Sequence, residues 1–190
     1  LIEWVHFLLR KNFEFPHIKV ICPTAPFQAY TALKGKMSNV WFDRKKVSMD
    51  AEENVSSIQS ICATVKDLIQ SENDGGIPPE RIVVGGFSMG GSMAMYTAYH
   101  LNTDLRGAFV CCSFLNRKSI VYETLKDKNS NERLPDLLMF HGEKDPLVPH
   151  PWGKETFDTL QKYGVKGEFN ILPNTYHELK KEALLRIEEW

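Results

Sequence analysis

The sequence predicts an α/β fold with a mainly parallel sheet and helices on both faces. Short apolar segments alternate with longer segments in which apolar residues recur every three or four positions, and this alternation is typical of parallel sheets with crossover helices. Segment 81–87 is apolar on both faces, as interior strands of such sheets are. The chain has 190 residues, enough for one domain and too few for two full-sized ones. Residues 1–190 are therefore expected to form a single domain.

The first half of the chain is predicted to hold two helices, one strand and one long loop. Apolar residues at helical spacing predict an amphipathic helix over 1–9, and β-branched residues that stop at Pro23 predict a strand over 17–22. Segment 24–46 has no hydrophobic period and contains scattered aromatic residues, so we expect a functional loop that covers an apolar surface. A regular apolar period that ends at paired glycines predicts the second helix over 50–75.

The second half of the chain alternates strands with helices. Because the strands of such an alternation run parallel, their carboxyl ends meet at one edge of the sheet, where ligands bind in open α/β folds. The predicted strands cover 81–87, 107–112, 136–140 and 166–172, the predicted helices cover 89–101, 152–163 and 178–190, and a polar connection lies around 126–133.

Composition argues against several classes of protein. With 23 Lys and Arg against 24 Asp and Glu, the formal charge is -1, so the chain lacks the basic surplus that nucleic-acid binding needs. No apolar run approaches the ~20 residues of a transmembrane helix. The first residues lack the basic start of a secretory signal peptide and also an initiator Met, which suggests that upstream sequence is missing.

The four cysteines show no paired C-x-x-C spacing. Three of them, Cys22, Cys111 and Cys112, fall in apolar strand-like segments, and Cys62 falls in the predicted helix over 50–75. We expect these side chains to be buried and reduced. Such usage fits a reducing cytoplasmic compartment.

A G-x-S-x-G motif lies within segment 85–91, between a predicted strand and a predicted helix. This placement is typical of a nucleophile elbow, in which a sharp turn lifts a serine hydroxyl, here that of Ser88, clear of the sheet. The turn is expected to leave no room for side chains at Gly86 and Gly90. The alternative interpretation is a glycine-rich helix start that packs closely on its sheet. The spacing differs from P-loop and dinucleotide-binding fingerprints.

A serine nucleophile needs a base, and the base needs an acid that orients it. His177 and Asp145 are candidates, because each follows a predicted strand at the sheet edge where Ser88 lies. Glu143, two residues before Asp145, is an alternative acid, whereas Asp136 begins its strand and would lie at the opposite edge. The competing bases are His6 and His100 on predicted helices, His17 at a strand start, and His141 and His150, which flank the loop that carries Asp145. For His141 and His150 a structural role is the simpler interpretation.

Two further groups of residues have a simpler interpretation than a ligand site. Imidazoles and carboxylates within 141–150, together with His177, are metal-ligand types but show no H-E-x-x-H or similar spacing, so no metal is predicted. The basic run Arg44, Lys45 and Lys46 is interpreted as a solvated loop face. Its only expected membrane contact is a weak, transient attraction to anionic head groups.

Taken in order, several motifs resemble the acyl-protein thioesterase / lysophospholipase branch of the α/β-hydrolases, and most of all its lysophospholipase-like members. The resemblance covers almost the whole chain. The motifs that carry it are Pro23-Thr24-Ala25-Pro26, Asn39-Val40-Trp41-Phe42-Asp43, the glycine-rich segment 85–91, Ser113-Phe114-Leu115 and segment 141–149.

The resemblance implies an α/β-hydrolase fold and a cytosolic serine hydrolase with no metal or organic cofactor. Ser88 would attack the carbonyl of an S-acylated protein or a small acyl ester, with His177 as base and Asp145 as orienting acid, and water would release the acyl-enzyme. The backbone N–H of Met89 would be one oxyanion donor. A carboxylesterase for short acyl chains is the alternative within this class. The residues expected to wall an apolar acyl pocket, with plain core packing as the alternative for each, are Trp41, Leu115, Leu147 and Val148.

The chain departs from the family pattern upstream of its first predicted helix. The resemblance implies an HGxGD-like loop there, which gives the second oxyanion donor, and a strand that would lie between segments 18–22 and 82–87; neither is in this sequence. Loss of one oxyanion donor costs ~10²–10³ in rate. We therefore expect an N-terminally incomplete domain that is weak or inactive as an ester hydrolase. A non-catalytic acyl-binding fragment is the alternative from another class.

Overall fold

The computed structural model describes residues 2–128 and 133–190, which form a four-stranded sheet and a separate two-stranded sheet. Leu1 and part of the predicted connection over 126–133 lie outside the described residues. The strands are β1 (Phe27–Tyr30), β2 (Lys36–Asn39), β3 (Val83–Phe87), β4 (Gly107–Cys111), β5 (Asp136–Gly142) and β6 (Gly167–Leu172). The helices are α1 (Ile2–Leu9), α2 (Val55–Asp74), α3 (Met89–Tyr96), α4 (Ile120–Lys126), α5 (His150–Lys162) and α6 (Lys181–Glu189).

Strands β3 to β6 form one parallel sheet in the order β3-β4-β5-β6. The register keeps the strand ends level, since Phe87 lies opposite Cys111 and Cys111 lies opposite Phe140. The predicted α/β fold with a mainly parallel sheet is confirmed. Because these strands run in one direction, the loops that follow β3, β5 and β6 meet at the same edge of the sheet.

The two central strands of the sheet, β4 and β5, are buried on both faces, as their apolar composition predicts, whereas β3 and β6 are partly exposed. Along β5, Leu137 and Met139 join the cluster that contains α2, α3 and α5, whereas Leu138 and Phe140 join the cluster that contains α6. Each of these four side chains is at most 4% exposed. Alternate side chains of one strand thus contact helices on opposite sides of the sheet. Helices on both faces are therefore confirmed.

Helices α1 and α2 follow their sequence patterns. Asn54 precedes α2, and its side-chain oxygen accepts a hydrogen bond from the backbone N–H of Ser57 at 3.2 Å, which is a typical N-cap. The apolar stripe of α2 is buried, with Ile58 fully enclosed. On the other face, Val5 of α1 packs against Leu184 of α6.

The predicted strand over 17–22 is wrong. Phe15 and Ile18 form an isolated bridge, and the segment joins neither described sheet. The side chains of Ile18, Val20 and Ile21 are 52%, 38% and 40% exposed. β-Branched composition favours a strand only where a neighbour supplies hydrogen bonds and a packed face, and no described neighbour does so here.

Three of the four cysteines are buried and one is exposed. Cys62, Cys111 and Cys112 are buried free thiols, as predicted. Cys22 is a free thiol but is exposed, because the segment that carries it joins no described sheet. The prediction of burial is therefore wrong for Cys22.

Strand β3 lies at one end of the parallel sheet. Within the described ranges no strand pairs with its side away from β4, and Val83 is 45% exposed. The expectation of a further strand between segment 18–22 and β3 stays a prediction. The free edge of β3 is the position where such a strand would pair.

The predicted loop over 24–46 contains an antiparallel hairpin, in which a 3₁₀ turn at Thr31–Leu33 joins β1 to β2. Most side chains of both strands are exposed or half-buried. Because neither strand buries one face, their sequences lack the clear apolar alternation from which a strand is predicted. Helix α4 also escaped prediction, because its seven residues are too few to establish a helical period. The predicted helix over 89–101 is confirmed as α3 followed by a π-helical turn at Thr97–Leu101.

Candidate active site

Ser88 lies at the sharp turn between β3 and α3. Its backbone has φ 54° and ψ −122°, a strained conformation of the kind that clusters at functional sites. The backbone N–H of Ser88 donates to Cys111 O at 2.9 Å, which holds the turn against β4. A Cβ at Gly86 would lie 2.3 Å from the carbonyl carbon of Gly90. The close approach of the strand to the helix therefore requires glycine at position 86.

Gly90 is less constrained than the motif predicts. Outside its own helix, the nearest atom to a Cβ built at Gly90 would be Trp41 Nε1 at 3.6 Å, which is an ordinary contact. The prediction that position 90 has no room for a side chain is therefore wrong. The crowding arises because the backbone of Gly90 fills the space beside Gly86.

Three side chains from three loops form a continuous hydrogen-bonded chain. The Ser88 hydroxyl oxygen and His177 Nε2 are 3.0 Å apart, and His177 Nδ1 and Asp145 Oδ2 are 2.7 Å apart. The other carboxylate oxygen, Asp145 Oδ1, accepts from the backbone N–H groups of Leu147 at 3.0 Å and Val148 at 2.8 Å. Because a carboxylate only accepts hydrogen bonds, His177 donates through Nδ1 and its Nε2 accepts from the Ser88 hydroxyl.

The loops after β5 and β6 hold the acid and the imidazole together. The backbone N–H of Glu143 donates to Leu172 O at 3.0 Å, which joins the two loops. The Glu143 carboxylate accepts from the backbone N–H of Asn174 at 2.9 Å. Glu143, the alternative acid, thus supports the turn before His177, and the imidazole itself is hydrogen-bonded to Asp145.

The structure brings His177 to Ser88, and no other described histidine is hydrogen-bonded to that serine. His141 is fully buried, and its Nε2 donates to Val148 O at 2.8 Å. Burial lowers the pKa of His141, so its imidazole is a neutral support beneath the acid loop. The remaining histidines are His6 on α1, His17 in the exposed segment, His100 on the π-helical turn and His150 at the start of α5.

Within residues 2–128 and 133–190, Cys112, Asp145 and His177 form the one group of three potential metal ligands whose ligand atoms lie within 4.8 Å of one another. Burial raises the pKa of the Cys112 thiol to about 11, so this thiol stays protonated near neutral pH. Asp145 and His177 are hydrogen-bonded to each other. The Asp145 and His177 side chains of this group are thus already engaged with each other.

The backbone N–H of Met89 is the first of α3, and no described group accepts a hydrogen bond from it. An N–H at a helix N-terminus carries part of the positive end of the helix dipole. It directly follows Ser88 and is therefore suited to bind a negatively charged oxygen.

A cavity of about 300 Å³ opens beside Ser88. Two of the predicted pocket residues line it, namely Leu147, which is 51% exposed, and Val148, which is buried. Leu115 is fully buried in the core and Trp41 packs against that core, so neither is among the lining residues. The other lining residues are Tyr30, Leu33, Arg44, Val47, Met89, Ser92, Ser113 and Phe114.

Sequence reasoning missed the part of the wall that the hairpin and the following segment contribute. The interpretation of the basic run as a solvated face is wrong for Arg44, whose guanidinium lies between the rings of Phe42 and Phe114. It holds for Lys45 and Lys46, which are exposed. No motif marked Arg44 as a pocket residue, because its aromatic neighbour Phe114 is distant in sequence.

The fold is that of an α/β-hydrolase. A family model described as Phospholipase/Carboxylesterase matches residues 4–190, and the chain belongs to this family. It is 48% identical over 188 residues to Lysophospholipase-like protein 1 of Mus musculus, which covers 99% of this chain and 78% of that protein. It is 35% identical over 170 residues to Acyl-protein thioesterase 1 homolog 1 of Dictyostelium discoideum, which covers 88% of this chain and 73% of that protein. The resemblance stated from the motifs is confirmed.

Solved structures share the fold at lower identity. A variant of SOBER1 from Arabidopsis thaliana has a TM-score of 0.85 at 24% identity and covers 99% of this chain and 89% of its own. Acyl-protein thioesterase 2 of Zea mays has a TM-score of 0.76 at 23% identity and covers 89% of this chain and 78% of its own. At such identities the similarity establishes the fold. No described helix combines the length and the apolar character needed to cross a bilayer.

Proposed function

We propose that the chain is a serine hydrolase that cleaves acyl esters or thioesters, with Ser88 as nucleophile, His177 as base and Asp145 as orienting acid. The observation that carries the proposal is the hydrogen-bonded chain from Ser88 through His177 to Asp145, at 3.0 and 2.7 Å. The cavity beside the hydroxyl offers room for an acyl group. Relatives named as a lysophospholipase-like protein and an acyl-protein thioesterase homologue support the same reaction class.

The proposed reaction is a double displacement. His177 Nε2 takes the proton of Ser88 as Oγ attacks the acyl carbonyl, and the same proton then passes to the departing alcohol or thiol. Water, deprotonated by His177, then attacks the acyl carbonyl, and His177 returns that proton to Ser88 Oγ as the acyl group leaves as the acid. Asp145 remains ionised and stabilises the imidazolium, while two backbone N–H groups on its Oδ1 keep the carboxylate in place.

The tetrahedral intermediate needs hydrogen-bond donors for its oxyanion. We propose that Met89 N–H is one donor, and that the second comes from a strand and loop that pair with the free edge of β3, as the family resemblance implies. Extending the chain upstream by such a strand and loop is expected to raise the rate of p-nitrophenyl ester hydrolysis ~10²–10³-fold, the usual effect of one oxyanion donor. Equal rates for the two forms would contradict this proposal.

The proposed substrates are S-acylated proteins or small acyl esters. The size of the cavity favours a second candidate, a carboxylesterase for short acyl chains, because about 300 Å³ lies at the small end of ligand pockets. A series of p-nitrophenyl esters from acetyl to palmitoyl separates the two. We expect kcat/KM to peak at short chains, and a maximum at palmitoyl would instead support a long-chain thioesterase.

No metal or organic cofactor enters the proposed reaction. Activity should therefore persist in EDTA, whereas loss of activity on chelation and recovery on adding Zn²⁺ or Mn²⁺ would support a metal-dependent hydrolase. We also propose a cytoplasmic site of action, which is compatible with the free thiols of Cys22, Cys62, Cys111 and Cys112.

A fluorophosphonate probe tests the proposal directly, because it reacts with a serine that a neighbouring base activates. The chain should be labelled, and Ser88→Ala should abolish the labelling. Ser60→Ala is a matched control, since Ser60 is an exposed serine on α2. Failure of the folded chain to label would support the alternative, a non-catalytic acyl-binding module.

A further inference from the structure

Arg44 places a cation in the wall of the cavity beside Ser88. Its guanidinium carbon lies 4.9 Å from the ring centroid of Phe42 and 5.5 Å from that of Phe114. Both rings are buried, with 2% and 3% of their surface exposed. Cation–π contacts with two fixed rings keep the guanidinium at this position, so the cation is a built part of the wall.

In the described part of the chain, no carboxylate forms an ion pair with this guanidinium. The nearby acid Glu53 is already engaged, since its two oxygens accept from the hydroxyl of Tyr96 at 2.6 Å and from the backbone N–H of Ile120 at 2.9 Å. The carboxylate of Asp43 accepts from the backbone N–H and the hydroxyl of Thr31, both at 2.8 Å. The carboxylates of Glu53 and Asp43 thus direct their oxygens to other donors, and Glu53 acts on the guanidinium through its charge without a hydrogen bond.

The phenols near the cation carry no compensating charge. Burial raises the pKa of Tyr30 and of Tyr96, so both stay uncharged at neutral pH. Burial also lowers the pKa of Arg44, but a guanidinium keeps its proton in proteins. Arg44 is half-buried, and a charge that is partly removed from water is costly unless an oxygen acceptor approaches it. A cavity occupant that brings an anionic oxygen to Arg44 therefore gains binding free energy.

We propose that Arg44 makes this site selective for acyl groups that carry a carboxylate at the end remote from the scissile carbonyl, such as glutaryl. Ser88 and Arg44 line the same cavity of about 300 Å³, so in this proposal an acyl group bonded to Ser88 Oγ lies in the cavity with its far end toward Arg44. The planar guanidinium donates two parallel hydrogen bonds to a carboxylate. The inference rests on the proposed serine hydrolase function and names its substrate class.

The test compares kcat/KM for p-nitrophenyl esters of glutaric acid (as the monoester) and of pentanoic acid, which have acyl chains of equal carbon number. The ratio of the glutaryl to the pentanoyl value should exceed one in the native chain and fall about 10- to 100-fold in Arg44→Met, as expected for loss of a hydrogen bond to a charged group. Arg44→Lys should retain part of the preference. Lys45→Met, which removes an exposed charge one residue away, should leave the ratio unchanged. An unchanged ratio in folded Arg44→Met would overturn the proposal.

A binding experiment separates failure of this inference from failure of the proposed function. In the Ser88→Ala chain, N-methylglutaramate should bind more tightly than N-methylpentanamide by calorimetry, and Arg44→Met should remove the difference. This outcome with no fluorophosphonate labelling would support the anionic subsite and reject the hydrolase. Labelling of Ser88 with equal binding of the two amides would support the hydrolase and reject the role of Arg44.

Discussion

Replacing Asp145 by Asn tests whether this residue orients His177, because it exchanges one carboxylate oxygen for an amide nitrogen. Asp145 Oδ1 accepts from two backbone N–H groups, those of Leu147 and Val148, at 3.0 and 2.8 Å. Those two donors require oxygen on their side, so the amide nitrogen of the Asn side chain must face His177 Nδ1, where Oδ2 now lies at 2.7 Å. Two N–H groups cannot point at each other, and the ring therefore places its proton on Nε2, facing Ser88.

An imidazole protonated at Nε2 cannot accept the serine proton. Loss of the correct tautomer lowers kcat by ~10⁴ in a Ser-His-Asp hydrolase, which corresponds to about 5 kcal/mol of transition-state stabilisation. The backbone hydrogen bonds to Oδ1 are kept in Asp145→Asn, so the folded structure should be largely preserved. The loss therefore reports on chemistry and not on unfolding.

Two assays measure this loss together. The rate constant for fluorophosphonate labelling reports activation of Ser88 even where turnover is slow, and p-nitrophenyl ester hydrolysis gives kcat. Glu143→Gln is the matched control, because a Gln side-chain oxygen can still accept from Asn174 N–H, and its activity should stay close to native. If Glu143→Gln lost activity and Asp145→Asn kept it, the assignment of the orienting acid would be refuted.

The remaining predictions concern packing and accessibility. Gly86→Ala should lower the thermal unfolding temperature, since overpacking of a core typically costs about 1–3 kcal/mol, whereas Gly90→Ala should be tolerated sterically; equal shifts would contradict the geometry of the elbow. Leu115→Ala should cost about 2–5 kcal/mol in urea unfolding without changing acyl-chain preference, because this side chain is fully buried in the core. Iodoacetamide near neutral pH should alkylate the exposed thiol of Cys22 and spare Cys112, whose buried thiol deprotonates only as the pH approaches its pKa of about 11; peptide mass spectrometry reads both sites.

The elements that could be predicted from the sequence are those whose pattern reflects a local environment. Strands β4 and β5 are apolar on both faces because helices cover both sides, and α2 carries an apolar stripe because one of its faces contacts the core. Segment 17–22 has the composition of a strand, but a strand also requires a pairing partner, and that requirement is not visible in local composition. The hairpin of β1 and β2 was not predicted for the opposite reason. Its strands pair with each other, but neither strand has an apolar face that is buried.

The residues of the candidate site also fall into those that could be predicted from the sequence and those that could not. That Ser88, Asp145 and His177 lie together could be predicted, because each follows a strand at one edge of a parallel sheet and a proposed reaction type links them in a known order. The cavity wall was not recognisable, because its residues are joined only by tertiary packing. Arg44 shows this most clearly, since a basic run along the chain is usually solvated and here one member lies between two buried rings.

The central claim is that Ser88 carries the acyl group as a covalent intermediate. Rapid mixing of the chain with a p-nitrophenyl ester, acid quenching and peptide mass spectrometry would locate that group. The proposal predicts an added acyl mass on the peptide that contains Ser88, and none on that peptide in Ser88→Ala. Ester hydrolysis with the acyl group on another residue, such as Cys22, or undiminished hydrolysis by Ser88→Ala would contradict it.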